Sequence, residues 1–369
     1  MRTATLCSRR ADVMGVVGSE RQLVAMSNTP FVISFALLLS FPLLFLFAPQ
    51  IFPSKHVEIS IPDELDDLAL FRRATLASID GGGGAISRLG TTNPRMKIAF
   101  LFLTNTDLHF APLWDRFFAD HEGLFNIYIH ADPRAKILPN VGRVFKGRFI
   151  AAKRTQRASP TLISAARRLM ATALLDDPLN SYFALVSQHC IPLHSFNFIY
   201  NSLFRSQFPE YRSFIQILSN ESYMWDRYTA RGESAMLPEV PFDRFRFGSQ
   251  FFVLTRRHAL VVIRDRRLWR KFRMPCLNED SCYPEEHYFP TLLSMEDPEG
   301  CTQYTLTRVN WTESVDGHPR TYFRAEISPE LIYKLRESNS TYSHMFARKF
   351  SPDCLKSLMD IADKVIFRD

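Results

Sequence analysis

Several features that define common protein classes are scarce or missing in this chain of 369 residues. Six cysteines are too few for a disulfide-stapled scaffold, and no Cys/His spacing typical of a zinc site occurs. The net formal charge is +7, but it is spread along the chain without a block of five or six like charges. Nucleic-acid binding therefore has little support, and we expect no nucleic-acid partner.

Motifs that bind nucleotides through glycine or through a metal are absent as well. The chain has no Gly-x-Gly-x-x-Gly and no Gly-Lys-Ser/Thr loop, so NAD-type and P-loop chemistry are unsupported. It also lacks any Asp-x-Asp pair, with which many nucleotide-sugar enzymes hold a divalent ion on a diphosphate. A diphosphate bound without a metal would have to be neutralised by cationic side chains.

The first feature that the chain does have is an apolar run, Phe31–Ala48, within a stretch free of charge between Arg21 and Lys55. Its 18 residues would span about 27 Å as a helix, close to the hydrocarbon core of a bilayer. Arginines precede the run and acidic residues follow it, so the positive-inside rule predicts a cytosolic N-terminus. We expect a cytosolic tail over 1–28 and a single-pass signal-anchor over 29–52; a cleaved signal peptide is the alternative.

The next segment, 53–95, has an irregular pattern of polar and apolar residues. It includes an acidic stretch at 63–67 and the four glycines Gly81–Gly84, which favour turns and flexibility. We predict a flexible stem here that holds a lumenal domain, 96–369, away from the membrane.

Two features of the last domain bear on its compartment. Triplets that accept N-glycans begin at Asn220, Asn310 and Asn339. Five of the six cysteines also lie in this domain, and an odd number leaves at least one unpaired or linked to another chain. Both features suit a lumen, and the cysteine spacing leaves the pairing open.

Strands and helices are predicted to alternate in the last domain. Apolar runs of strand length occur at 96–104, 125–130, 181–187 and 248–255. Helical patterns occur at 111–120, from Ser159 and Pro160 to Asp176, and at 256–272. This alternation predicts an α/β sandwich with a mainly parallel sheet. Such sheets bind ligands beyond the carboxyl ends of their strands, so the candidate binding loops are 104–110, 130–135 and 187–194.

An acidic pair, Glu285 and Glu286, follows Pro284, which suits the first position of a helix. Acidic residues in a first turn often do no more than favour the helix dipole. A functional role needs one carboxylate aimed into a cleft as a general base. Adjacent helical residues diverge by about 100°, so we do not expect both side chains to face the same spot.

A basic segment lies near the C-terminus. Arg348 and Lys349 stand just before a Ser-Pro pair that predicts the start of a helix. Cations beside a helix N-terminus make a good anion site, although a solvated basic turn fits the same pattern. Arg320 and Arg324 lie in the preceding loop.

Polar residues at two strand ends complete the candidates. His130 and Asp132 end the second predicted strand, where they either contact a nucleotide or only form an Asp-Pro turn. Cys190 suggests a thiol nucleophile because it follows a histidine, but a buried or disulfide-bonded cysteine is the simpler interpretation.

Six motifs follow one another between Met96 and the C-terminus. They are KIAFLFLT (97–104), NIYIHADP (126–133), YFALVSQHCIPL (182–193), LPEVPFDRFRFGSQFFVLTRRHA (237–259), CYPEEHYFPTLL (282–293) and FARKFSP (346–352). In this order they resemble the core-2/I-branching β-1,6-N-acetylglucosaminyltransferase family, in particular its plant branch. The likeness extends over about three-quarters of the chain.

The resemblance implies a Golgi type II membrane enzyme whose lumenal domain has a glycosyltransferase-A-like α/β fold. It implies an inverting, metal-independent transfer of a sugar, expected to be N-acetylglucosamine, from a UDP-sugar to a hydroxyl of a glycan acceptor. No cofactor is expected. Two alternatives stay open: transfer of glucuronic acid to arabinogalactan-type glycans, and an inactive, membrane-anchored glycan-binding protein.

The resemblance also assigns roles to individual residues. Glu286 matches the general base, and Lys349 matches the lysine that neutralises the UDP phosphates. An upstream arginine shares that task, and both Arg320 and Arg324 sit near the expected place. His130 and Asp132 are carried over as residues near the nucleotide.

Overall fold

A computed structural model gives the structure of the chain. It describes residues 34, 38, 40, 64–80, 95–138, 142–204, 211–312, 314 and 317–369. The predicted tail, 1–28, and nearly all of the predicted anchor, 29–52, lie outside the described residues. Within the described ranges, no helix is both long and apolar enough to cross a bilayer. Residues Ser60–Asp369 form one compact unit.

Strands and helices alternate along the described part of the unit. The strands are β1 (Lys97–Thr104), β2 (Phe125–Ala131), β3 (Asn180–Ser187), β4 (Ile191–Pro192), β5 (Val253–Thr255), β6 (Thr307–Val309) and β7 (Phe346–Arg348). The α-helices are α1 (Glu64–Asp80), α2 (Ala111–Phe118), α3 (Pro160–Asp176), α4 (Phe196–Phe204), α5 (Met224–Thr229), α6 (Arg256–Arg264), α7 (Arg267–Phe272), α8 (Tyr288–Glu296), α9 (Pro329–Arg336) and α10 (Leu355–Ile361). The predicted α/β class is confirmed.

The larger sheet has the strand order β2-β1-β3-β5. β1 runs parallel to both β2 and β3, and β5 pairs antiparallel with β3, so the sheet is rich in parallel pairs as predicted. Alternate residues of β1 enter two separate cores: Phe100 and Phe102 pack with Trp114 of α2, whereas Leu101 packs with Leu169 of α3. Burial on both faces is why β1 is a continuous apolar run.

A smaller sheet, with the order β4-β7-β6, lies against the first core. Phe346 of β7 packs edge-on against Phe100 of β1, with 6.3 Å between ring centroids. The indole of Trp114 donates a hydrogen bond to the carbonyl of Cys190, which precedes β4. These contacts fix β7, and with it Arg348, beside the ends of β1 and β3.

Two predicted elements differ from the structure. The strand predicted over 248–255 is reduced to β5. Before it, Gly248 lies so close to the backbone carbonyl of Gln216 that a Cβ would meet its oxygen at 2.0 Å. The helix predicted over 256–272 divides into α6 and α7, because the carboxylate of Asp265 accepts the backbone N–H groups of Leu268 and Trp269 and starts a new helix.

The prediction of an irregular stem over 53–95 is wrong for Glu64–Asp80, which forms α1. Phe71 and Ala74 of this helix are buried in the second core. Asp67 makes a bidentate ion pair with Arg168 of α3, at 2.6 and 2.7 Å, and the carboxylate of Asp67 is only 10% exposed. The acidic stretch that suggested a solvated linker thus includes a residue that docks the helix on the domain.

The cysteines among the described residues include both disulfide-bonded and free ones. Cys276 and Cys282 form a disulfide, while Cys190, Cys301 and Cys354 are buried thiols. The expectation of at least one unpaired cysteine is confirmed for the part of the chain that the structure describes.

Candidate active site

A cleft opens at the carboxyl ends of β1 and β3, with an empty volume of about 550 Å³. Its lining residues come from five segments: Leu103, Thr104, Asn105, Thr155, Gln156, Arg157, Leu162, Ser187, Gln188, Gln250, Phe251 and Arg348. The candidate loops 104–110 and 187–194 therefore contribute to the cleft, as the parallel-sheet rule predicts. The candidate loop 130–135 does not line it.

Arg348 is the cation that β7 places in the cleft. Its guanidinium carbon lies 4.4 Å above the ring of Phe251, and its Nε is buried with no hydrogen-bond partner among the described residues. Burial lowers the pKa of Arg348 from its ordinary value, while the negative charge of Glu286 raises it. The guanidinium is thus a desolvated positive charge within electrostatic reach of the predicted base.

Lys349 follows Arg348 and is half-buried. Its backbone carbonyl accepts a hydrogen bond from the N–H of Tyr322 at 2.8 Å, which ties the segment to the loop before α9. Burial and the charges of Arg348 and Arg157 lower the pKa of Lys349. Lys349 is not among the residues that line the cleft, but its positive charge and those of the lining residues Arg157 and Arg348 repel one another, an arrangement that a bound anion would stabilise.

Glu286 lies in a short 3-10 turn, Pro284–Glu286, which precedes α8. Its Oε2 accepts a hydrogen bond from Nη1 of Arg227 at 2.6 Å, and its side chain is 21% exposed. The Arg227 guanidinium in turn stacks on the rings of Tyr223 and Tyr283, at 4.4 and 4.7 Å. Within the described part of the chain, no hydrogen-bond donor contacts Oε1, so this oxygen is left to accept a proton.

Glu285 faces another way, as predicted. Its side chain is buried, and its Oε1 accepts the backbone N–H of Ala158 at 2.9 Å. Burial raises the pKa of Glu285 to about 7, and the neighbouring charge of Glu286 acts in the same direction. The two carboxyl groups of the pair thus have different surroundings and are suited to different tasks.

The two upstream arginines do not line the cleft. Arg320 pairs with Glu326 at 2.5 Å and lies over the ring of Tyr322. Arg324 is exposed, and its backbone N–H points to the carboxylate of Asp353. Asp353 also occupies the first turn after Pro352, where Ser351 makes no side-chain cap, so the anion site predicted at this helix start is not formed as expected.

His130 and Asp132 are buried and engaged with the protein, so the prediction that they line the nucleotide site is not supported. Nε2 of His130 accepts the N–H of Lys153 at 3.3 Å. Asp132 accepts both the N–H and the hydroxyl of Thr155, at 2.6 and 2.9 Å. Burial raises the pKa of Asp132, but these hydrogen bonds outweigh that effect and lower it overall. Both residues hold the segment that carries Thr155 into the cleft.

Sequence reasoning missed Arg157, which lines the cleft from this same segment. Its Nη2 donates to the carbonyl of Gly317 at 2.6 Å, its Nη1 lies 3.1 Å from Nε2 of His318, and its guanidinium stacks on Tyr283. The segment has no strand or helix periodicity. Its pairing beside β2, at Ile129 and Phe149, and its hydrogen bonds to His130 and Asp132 bring it to the sheet edge. The basic sequence KRTQR (153–157) was the available signal.

Cys190 is not suited to nucleophilic chemistry. The thiol is fully buried, and burial raises its pKa, so the reactive thiolate is disfavoured. Its sulfur lies 3.3 Å from the backbone nitrogen of Ser187, within the turn that follows β3. The interpretation of a buried structural cysteine is confirmed.

A sequence model of the Core-2/I-Branching enzyme family matches residues 98–336. This chain belongs to the core-2/I-branching family. The enzyme is also similar to a protein of Oryza sativa subsp. japonica named glycosyltransferase BC10, with 28% identity over 316 residues. That alignment covers 72% of this chain and 76% of the rice protein. The enzyme is a glycosyltransferase, and the predicted membership of the core-2/I-branching family is confirmed.

Proposed function

We propose that the enzyme transfers a sugar, N-acetylglucosamine, from a UDP-sugar to a hydroxyl of a glycan acceptor, with inversion and without a metal ion. The observation that carries the proposal is that Arg348 lines the cleft and interacts electrostatically with both Glu286 and Lys349, although neither of these two is itself a lining residue. The cleft lies where parallel sheets bind their ligands.

Glu286 is the general base of the proposed reaction. Arg227 holds Oε2, so Oε1 takes the proton of the acceptor hydroxyl as the hydroxyl oxygen attacks the anomeric carbon of the sugar. Attack from the face opposite the leaving group forms the new glycosidic bond, breaks the bond to the diphosphate and inverts the anomeric centre. One carboxylate is sufficient for this single displacement.

Lys349 and Arg348 act on the departing UDP. Negative charge builds up on the diphosphate as the bond to the sugar breaks, and fixed cations aimed at that charge stabilise the transition state. Removing one such group typically costs about 3–4 kcal/mol of that stabilisation. Phe251 holds the guanidinium of Arg348 in place from below.

Metal independence stays a prediction. In the described ranges, no three His, Cys, Asp or Glu side chains group as metal ligands would. Activity should persist in EDTA at a concentration that strips a divalent ion from a control enzyme. Strict dependence on added Mn²⁺ would contradict the proposal.

The donor is identified by a screen of UDP-sugars. The purified enzyme is mixed with UDP-N-acetylglucosamine, UDP-glucuronic acid, UDP-galactose and UDP-glucose, and both binding and slow hydrolysis are measured. Preference for UDP-N-acetylglucosamine supports the proposal, and preference for UDP-glucuronic acid supports the alternative donor. Binding of none of them leaves the glycan-binding alternative.

We also propose a Golgi location, with a type II anchor over 29–52 and the domain in the lumen. The proposal is supported by the apolar run in the sequence and by exposed acceptor residues at Asn220 and Asn339; Asn310 is half-buried. Digestion of the cellular protein with an N-glycan amidase, compared with an Asn220→Gln and Asn339→Gln double variant, tests the orientation. A wild-type mobility that the amidase leaves unchanged would count against it.

A further inference from the structure

The turn that carries Glu286 also contacts the segment that carries Arg157, in two places. Oε1 of Glu285 accepts the N–H of Ala158 at 2.9 Å, and the ring of Tyr283 lies 5.3 Å below the guanidinium of Arg157. Ala158 has a φ of +57°, in the left-handed region that a residue with a Cβ seldom adopts. An external contact is needed to hold a non-glycine residue in this conformation, and Glu285 supplies one.

Arg157, which the turn contacts, lies in the candidate active site. It lines the cleft together with Arg348, and its positive charge lowers the pKa of both Arg348 and Lys349. Its hydrogen bonds to the carbonyl of Gly317 and to His318 hold the guanidinium from the other side of its segment. The guanidinium is therefore held by contacts on both sides and lines the same cleft as Arg348.

We propose that Arg157 is a third cation of the diphosphate site and that Glu285 is the residue that positions it, through the N–H of Ala158. The inference rests on the proposed function for the identity of the anion. One short turn would then set two things at once: the place of the general base, Glu286, and the place of a cation that meets the leaving group.

Burial of the Glu285 carboxyl is costly, although its negative charge also favours the charged form of the buried Arg231. Its Oε2 is buried without a hydrogen-bond partner among the described residues, and burying an unsatisfied polar atom costs stability. The position requires only an acceptor for Ala158, which a neutral carboxyl or a carboxamide provides as well as a carboxylate does. Because burial raises the pKa of Glu285 to about 7, a neutral acceptor is consistent with its surroundings.

The test measures affinity for two probes, UDP and inorganic pyrophosphate, by calorimetry on the full-length enzyme. We expect Arg157→Ala to weaken both probes about tenfold, a typical loss for one charge-assisted contact. Glu285→Leu, which has no acceptor, should weaken them to a similar extent, while Glu285→Gln should stay within about twofold of wild type. The double variant Glu285→Leu with Arg157→Ala should bind no more weakly than Arg157→Ala alone, because both changes remove the same contact.

A second readout separates positioning from general stability. Exchange of the Ala158 amide hydrogen should be slow in wild type and Glu285→Gln, and fast in Glu285→Leu. If Glu285→Leu does not fold, Glu285→Asp replaces it, since its shorter side chain does not reach the Ala158 amide. The exposed Lys334→Ala on α9 is the control for loss of one positive charge.

Each result decides the question. Wild-type affinity in a folded Glu285→Leu or Glu285→Asp variant would overturn the inference, and so would additive losses in the double variant or a loss in Glu285→Gln as large as that in Glu285→Leu. If the wild-type enzyme bound pyrophosphate but not UDP, the proposed function would be overturned. The affinities of the variants for pyrophosphate would still decide the inference. Binding of neither probe by wild type would overturn both.

Discussion

Nη1 of Arg227 donates a hydrogen bond to Oε2 of Glu286 over 2.6 Å, and both side chains are mostly shielded from solvent. The pair fixes which oxygen of the carboxylate faces an acceptor. Arg227→Ala should therefore lower kcat by about 100-fold through misplacement of the base, while the affinity for UDP stays unchanged. Arg227→Lys keeps the positive charge, so its kcat should fall by less than that of Arg227→Ala. Steady-state kinetics with calorimetry check this; an equal loss of UDP affinity in Arg227→Ala would show that Arg227 serves the donor instead.

Lys349 should contribute to donor binding as well as to the transition state. We expect Lys349→Ala to weaken UDP binding about tenfold, since one charge-assisted contact to the diphosphate is lost. The control is Lys334→Ala, which removes an equal charge from an exposed position of α9. Equal affinities for UDP in Lys349→Ala and wild type would remove Lys349 from the site.

Acid should destabilise the enzyme through buried neutral histidines. Burial, together with the charge of Arg168, lowers the pKa of His130 to about 4. In the unfolded chain, His130 takes up a proton as the pH falls below its ordinary value near 6.5, while the folded form stays neutral down to about 4. The unfolded state thus binds more protons in this window, and the free energy of unfolding falls as the pH decreases.

The variant His130→Gln should remove part of that dependence, on the order of 3 kcal/mol between pH 6.5 and 4. Denaturant titrations of wild type and His130→Gln at several pH values in the window measure the two slopes. His189 and His344 have pKa values lowered in the same direction, so a slope should persist in the variant. Identical slopes in the two proteins would contradict the assignment.

The docking of α1 depends on the ion pair between Asp67 and Arg168. Asp67→Asn leaves the buried guanidinium of Arg168 without its anion, which should lower the free energy of unfolding by about 3–5 kcal/mol. Asp66→Asn is the matched control, because Asp66 is the exposed neighbour on the same helix. Urea denaturation of both variants measures the difference. Equal stability of the two variants would mean that α1 contributes little to the fold.

The parts of the fold that sequence predicted are those with a local physical signature. β1 is apolar on both faces because its side chains pack into two cores. Ser159 accepts the N–H of Thr161, as an N-cap residue does. The apolar run at 248–255 is instead longer than β5, and its first residue, Gly248, contacts Gln216, which is far away in sequence. No periodicity carries information about such a contact.

The candidate site divides in the same way. The motifs predicted Arg348, which lines the cleft, and the roles that they assign to Glu286 and Lys349 stay predictions. Arg157 reaches the cleft because the chain after β2 folds back beside it and Asp132 holds Thr155. The end of a predicted strand left two roles open for His130 and Asp132, a nucleotide contact or a turn, and the family resemblance placed them near the nucleotide. They prove to be supports for the lining segment, and sequence alone does not separate a strand-end residue that faces a cleft from one that faces the protein.

The central claim, that Glu286 is the general base, is tested most directly by Glu286→Gln. The amide keeps the shape of the side chain but does not accept the proton, so transfer to an acceptor glycan should fall by at least about 100-fold, with UDP affinity within twofold of wild type by calorimetry. Transfer by the purified variant at the wild-type rate, with UDP still bound, would contradict the account.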